Sequence, residues 1–226
     1  MRCMGIFPQT SNSHGSLKNL QIAINDKKVF LDEEIAKVIG KKMSIDWKSP
    51  LKADSYAEYR DDDFLRVLGL NKIIYPLREF WPKNGPQWDA LGINGDEIVL
   101  VEAKANIPEM VSPGTGAKSK KSIGKIKDSL DEVKEYLNVS NSIDWTGTFY
   151  QYTNRIAHLY YLQVKNNIKA NLLFIYFTND VTVSGPKSKD AWLGAIKTME
   201  CYLGLNKKHK LRKNMFDIFI DVSDLR

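Results

Sequence analysis

The chain has 226 residues, 43% of them hydrophobic and 27% charged, which suits one sizeable globular domain. No apolar run reaches the length of a membrane span and the N-terminus lacks a signal-peptide pattern, so no membrane partner is expected and a cytoplasmic location is the default. The net charge of +6 is compatible with an anionic partner, while two cysteines (Cys3, Cys201) and three scattered histidines (His14, His158, His209) supply no zinc pattern, disulfide framework, histidine metal site or Ser-His-Asp triad.

Residues 1–16 read as an irregular start rich in Ser and Asn. Residues 20–25 alternate like a short strand. Residues 31–39 have helical spacing and stop at Gly40. Residues 43–53 carry Pro50 and read as a connector, so 1–53 is taken as an N-terminal extension. In 54–69, Ala57, Asp61, Phe64 and Leu68 recur at helical spacing and Gly69 ends the element. Glu58 lies on the flank of that stripe, where its carboxylate could reach a strand end; it also completes a Ser55-x-x-Glu58 capping box. Asp61, nearer the middle of the stripe, is the second candidate carboxylate, and Asp62 and Asp63 read as solvent-facing charge. Residues 72–81 read as a strand, Gly85-Pro86 as a turn, and Phe80, Trp81 and Trp88 as packing aromatics.

The stretch from Trp88 to Ala105 carries the chemistry. Asn94-Gly95-Asp96 is a turn signal, and the β-branched run Ile98–Val101 leads into Glu102-Ala103-Lys104. Side chains alternate along a strand, so Glu102 and Lys104 share a face with Leu100 and Ile98. Charges in line with a core-facing row are costly unless paired or bound to metal. A hairpin turning at Asn94-Gly95 brings Asp89 beside Glu102. Two carboxylates and a lysine at a strand end suit a hard divalent cation such as Mg²⁺, which lowers the pKa of bound water and offsets charge growing on a phosphate. The triplet by itself is weak evidence, because Glu132-Val133-Lys134 repeats it in a polar, helix-spaced stretch that reads as a solvated helix face.

Asp89 followed by Glu102-x-Lys104 at the end of a hydrophobic strand resembles the PD-(D/E)XK nuclease superfamily, over roughly residues 54–179. The resemblance implies an α/β fold with a restriction-endonuclease-like core: α-β-β-β-α-β in a mixed sheet flanked by helices. It implies that Asp89 and Glu102 bind Mg²⁺, with Mn²⁺ as a substitute, together with the backbone carbonyl of Ala103. Lys104 would position or activate water, Glu58 would support the site from the preceding helix, and the substrate would be a nucleic acid, mainly DNA. The proline that often precedes the aspartate is displaced, since Pro86 is separated from Asp89 by Gln87 and Trp88.

Residues 107–124 form a Gly/Pro-containing loop with Lys118, Lys120 and Lys121, a candidate grip on phosphates. Its Gly114–Ser119 segment fails the phosphate-loop pattern because Ala117 separates Gly116 from Lys118. A second basic cluster spans 207–213. Helices are expected over 126–137 and 149–164; the second presents Gln151 and Arg155 one turn apart, where the family places residues that touch the active site or DNA, and His158 reads as structural. A continuous apolar run at 171–178 reads as a buried strand, 190–203 as a helix and 216–222 as a last strand, with no domain boundary. The expectation is therefore a single-domain, metal-dependent nuclease, endo- or exo-acting, with a homodimer left open. The competing readings are a catalytically silent nucleic-acid-binding module and a protein-interaction component of a defence or toxin-type assembly.

Overall fold

The computed structural model describes residues 5–10, 14–73 and 75–226. In chain order the elements are β1 (Ile6–Phe7), α1 (Gly15–Asn25), α2 (Lys28–Ile39), β2 (Asp46–Ser49), β3 (Glu58–Tyr59), α3 (Asp61–Val67), α4 (Leu77–Phe80), β4 (Ala90–Asn94), β5 (Glu97–Lys104), α5 (Lys120–Leu137), α6 (Tyr150–Tyr160), β6 (Ala170–Thr178), α7 (Lys189–Tyr202) and β7 (Met215–Asp221). Five strands make a mixed sheet in the order β2-β4-β5-β6-β7. The first three run antiparallel as a meander, while β6 is parallel to β5 and β7 is parallel to β6. Strands β1 and β3 form a separate two-stranded ribbon.

The sheet is covered on both faces, which is why β5 and β6 are apolar at nearly every position. On one face, Leu20, Ile24, Leu31 and Ile35 of α1 and α2 pack against Val99, Val101, Leu173 and Ile175. On the other, α5, α6 and α7 bring Leu130, Ile156 and Trp192 onto Leu100, Leu172 and Phe174. Each such fully buried aliphatic side chain contributes about 1.5–3 kcal/mol. Gly92 of β4 is required by packing: a Cβ there would stand 2.5 Å from the Ile45 side chain.

Several expectations are corrected. Residues 20–25 belong to helix α1, because Leu20, Ala23 and Ile24 bury one helical face. Residues 43–53 supply edge strand β2, so the segment read as an extension contributes the sheet's first strand. What anchors β2 is remote in sequence: the Asp32 carboxylate of α2 accepts hydrogen bonds from Ile45 N (3.1 Å) and Trp47 Nε1 (3.2 Å). The helix expected over 54–69 is confined to α3. Ser55 and Tyr56 both have positive φ, Glu58–Tyr59 pair with β1, and no capping box forms. No strand spans the described part of 72–81, Ile74 lying outside the described residues. Tyr75 N donates to Asn166 Oδ1 (2.7 Å) instead of to a ladder, and after Pro76 the chain turns into α4. Asp63 is buried and paired with Arg66 rather than solvent-facing, and Lys120, Lys121 and Gly124 belong to α5 rather than to a loop. Lys134 of the second Glu-x-Lys is buried as well, bonded to the carbonyls of Asn141 and Ile143. Of the irregular start, residues 1–4, including Cys3, and 11–13 lie outside the described residues. Among the described residues no helix is long and apolar enough to cross a membrane.

Candidate active site

The site forms where β4 stops and β5 continues. The last β4–β5 pair is Ala90 with Val101, but β5 runs on to Lys104, held on its other side by β6. Ala103 therefore has no strand partner on the β4 side, and its N–H donates to Asp89 Oδ2 at 2.7 Å. The N–H and C=O of a strand residue project to the same side, so the Ala103 carbonyl also faces this gap, and Ala103 lines the cleft there. The side chains of Asp89, Glu102 and Lys104 share the sheet face covered by α6.

The cleft has a volume of about 680 Å³ and is lined by Glu58, Asp89, Glu102, Ala103, Lys104, Gln151 and Arg155 among others. Seven of the ten site residues expected from the sequence thus converge. Glu58 arrives from ribbon strand β3 rather than from a helix, and its Oε2 accepts from Gln87 Nε2 (2.5 Å) and Gln9 Nε2 (3.1 Å). Asp61 does not reach the cleft with its carboxylate; it accepts from the backbone N–H groups of Asn84 and Gly85 and pairs with Arg78. Lys118, Lys120 and Lys121 are exposed, and none lines the cleft; Lys120 and Lys121 border a separate groove with Tyr75 and Phe80.

Glu102 is the electrostatic centre. It is 2% exposed; one oxygen binds the Lys104 ammonium and the other binds Arg155 through Nε (2.6 Å) and Nη2 (2.5 Å). Arg155 was expected to contact nucleic acid, yet it is 4% exposed and its donors are engaged internally. Besides Glu102, they reach the Gln87 carbonyl (2.6 Å) and Asn154 Oδ1 (2.9 Å), and the guanidinium lies over the Trp88 ring at 4.8 Å. Gln151, from the first turn of α6, accepts from Lys104 Nζ at 3.1 Å. His158 is structural as expected, buried among Phe64, Trp81 and Trp88 with Nδ1 on the Asn154 carbonyl; burial pushes its pKa down to about 3, so it is neutral.

These environments drive neighbouring groups apart. Burial works against the Glu102 charge, but Arg155 and Lys104 outweigh it and hold the carboxyl below its ordinary range. Asp89 is half-buried; desolvation and then the Glu102 charge push its carboxyl well above the usual carboxylate range, outweighing the Lys104 and Arg155 cations. Burial and the Glu102 charge also raise Glu58, against hydrogen bonds from Gln87 and Gln9. Burial alone would lower Lys104, yet the Glu102 and Asp89 carboxylates raise it. Lys104 is thus held as an ammonium by the two carboxylates.

Among the described residues no group of three His, Cys, Asp or Glu side chains forms a ready metal cage. The donors that converge are nonetheless all oxygen: Asp89, Glu102 and the Ala103 carbonyl. That set fits a hard cation that retains several waters.

Gln9, Gln87, Asn154 and Tyr150 also belong to the site, and sequence reasoning did not mark them as functional. Gln87 had one available signal, its place two residues before Asp89. Gln9 had none, since the β1–β3 pairing that delivers it spans about fifty residues. No family model, curated protein or solved structure matches the chain.

Proposed function

We propose that this chain is a Mg²⁺-dependent nuclease with a restriction-endonuclease-like core that hydrolyses phosphodiester bonds, with DNA as the main substrate. One observation carries the reading: Asp89, Glu102 and Lys104 meet in a cleft where β5 outruns β4, with the Ala103 backbone open toward Asp89. The topology supports it: α2 leads into β2, β4 and β5, an antiparallel meander interrupted by the β3-α3-α4 excursion, and α5, α6 and the parallel strand β6 follow, which is an α-β-β-β-α-β order once that excursion is set aside.

Asp89, Glu102 and the Ala103 carbonyl would hold the cation. When bound, it supplies Lewis-acid stabilisation of the phosphate and a water of lowered pKa. Lys104 is held by Glu102 and Gln151 with its ammonium directed into the cleft, where it neutralises phosphate charge. Arg155 keeps Glu102 ionised and in place, and Glu58 adds a third carboxyl at the rim. The exposed lysines 118, 120 and 121 add a sequence-independent attraction for the backbone.

A second reading is a nucleic-acid-binding module without activity. It draws support from Glu102, whose two oxygens are already met by two cations. The deciding assay incubates linear, circular and single-stranded DNA, and RNA, with wild type and Lys104→Ala in Mg²⁺, Mn²⁺ and EDTA. The nuclease reading expects metal-dependent cleavage that falls by at least about a hundredfold in Lys104→Ala, with folding intact by circular dichroism. Cleavage unaffected by the substitution would overturn the site; salt-sensitive DNA binding without cleavage would establish the silent module.

A further inference from the structure

Phosphodiester hydrolysis can run with one divalent cation or with two, the two-metal arrangement placing the ions about 3.5–4 Å apart. Two cations that close must share a carboxylate, and Glu102 is the most central one in this cleft. Its two oxygens are not equivalent. Oε1 carries the Lys104 ammonium and keeps a further acceptor position. Against Oε2 stand two nitrogens of one guanidinium, Arg155 Nε at 2.6 Å and Nη2 at 2.5 Å. A cation reaches Oε2 only by displacing that group.

Arg155 is built to stay. It is 4% exposed and lies over the Trp88 ring. Nη2 also donates to the Gln87 carbonyl at 2.6 Å, and Nη1 donates to Asn154 Oδ1 at 2.9 Å. Gln87 connects the guanidinium to the third carboxylate of the cleft, because its side-chain amide donates to Glu58 Oε2 at 2.5 Å. The Arg155 charge therefore acts on both Glu102 and Glu58, the pair between which a second cation would be held. The charge count points the same way. With Asp89, Glu102 and Glu58 ionised, Lys104 and Arg155 leave the cleft one negative charge in excess. One divalent cation and one phosphodiester bring it to neutrality, whereas a second divalent cation would leave two positive charges buried without partners.

We propose that the cleft takes a single divalent cation, and that Arg155 permanently fills the place on Glu102 Oε2 that a second cation would need. The inference rests on the metal site of the nuclease reading. Arg155 is then a positioning residue that sets how many cations the carboxylates hold.

The test counts bound Mn²⁺ by electron paramagnetic resonance of the free ion, at neutral pH and without substrate. It compares wild type, Asp89→Asn, Arg155→Ala and Arg155→Ala combined with Glu58→Gln, each checked for folding by circular dichroism. The expected result is one Mn²⁺ per wild-type chain, lost in Asp89→Asn. Arg155→Ala should take two, and adding Glu58→Gln should return the count to one. Two wild-type equivalents that both disappear in Asp89→Asn would overturn the inference, as would a folded Arg155→Ala that still binds one. Should Arg155→Ala fail to fold, the wild-type count against Asp89→Asn decides. Metal-dependent cleavage of DNA by a wild type holding two Mn²⁺ in the cleft would remove the single-cation inference and leave the nuclease reading. One Mn²⁺ lost in Asp89→Asn, with no cleavage of any nucleic acid, would do the reverse, and a wild type that binds none would remove both.

Discussion

Replacing Arg155 by methionine tests the electrostatic design of the site most directly. Arg155 and Glu102 are 4% and 2% exposed, and two guanidinium nitrogens contact one carboxylate oxygen at 2.6 and 2.5 Å. Methionine fills much of the stem volume and keeps contact with Trp88, so the main loss is the charge and its hydrogen bonds. Glu102 would then be left with Lys104 alone, against the burial that already opposes its ionisation. Removing one partner of a buried pair costs about 3–5 kcal/mol, a large share of the roughly 5–15 kcal/mol that stabilises a domain. Neutralising the orphan should restore much of that loss. Arg155→Met combined with Glu102→Gln should therefore be more stable than Arg155→Met, with a coupling of about 2–3 kcal/mol. Urea unfolding of wild type, both single variants and the double variant at neutral pH, followed by tryptophan fluorescence, measures the cycle. A single-variant cost below about 1 kcal/mol, or strict additivity, would refute the argument that Arg155 is the internal counter-ion of Glu102.

Asp89→Asn should stabilise the protein at neutral pH while abolishing cleavage. The amide oxygen can still accept from Ala103 N, and the carboxyl it replaces has a raised folded pKa caused first by burial and then by Glu102. A raised acid costs nothing below the unfolded pKa. It destabilises as pH rises through that value, because the unfolded state then ionises more readily. The variant should thus melt above wild type at pH 7, each 1 kcal/mol being worth roughly 2–4 °C, and the advantage should vanish toward pH 3; calorimetry that finds the variant less stable at pH 7 would contradict the raised Asp89. Replacing Lys118, Lys120 and Lys121 together by alanine should leave folding unchanged and flatten the logarithmic salt dependence of DNA binding by about 2–3 units. An unchanged slope would remove these three lysines from the interface.

The parts of the molecule legible in the sequence are those where local pattern and tertiary environment agree. The β-branched run ending in Glu102-Ala103-Lys104, the turn at Asn94-Gly95 and the continuous apolar run at 171–178 each carry a period or composition that only one environment tolerates. Alternation along β5 was enough to place Glu102 and Lys104 on one face, and the length of the hairpin was enough to bring Asp89 opposite. Helices α2, α5, α6 and α7 were legible for the same reason, through their apolar stripes.

Where the reading failed, a distant partner decided. Residues 43–53 look like a connector, but the Asp32 carboxylate and the free edge of β4 make them a strand. Residues 54–59 have helical spacing, yet pairing with Ile6–Phe7 draws them into a ribbon that presents Glu58 to the cleft from the opposite local structure. The sequence by itself determined the class of fold, the Asp-Glu-x-Lys constellation and the strand that carries it, because these rest on short-range periodicity and turn chemistry. Only the tertiary structure decided that Arg155 serves Glu102, that Gln9 and Gln87 hold Glu58, and that Asp89 is the carboxyl raised rather than lowered by its surroundings. Burial and charge pairing between segments far apart in the chain set these roles, and no local pattern encodes them.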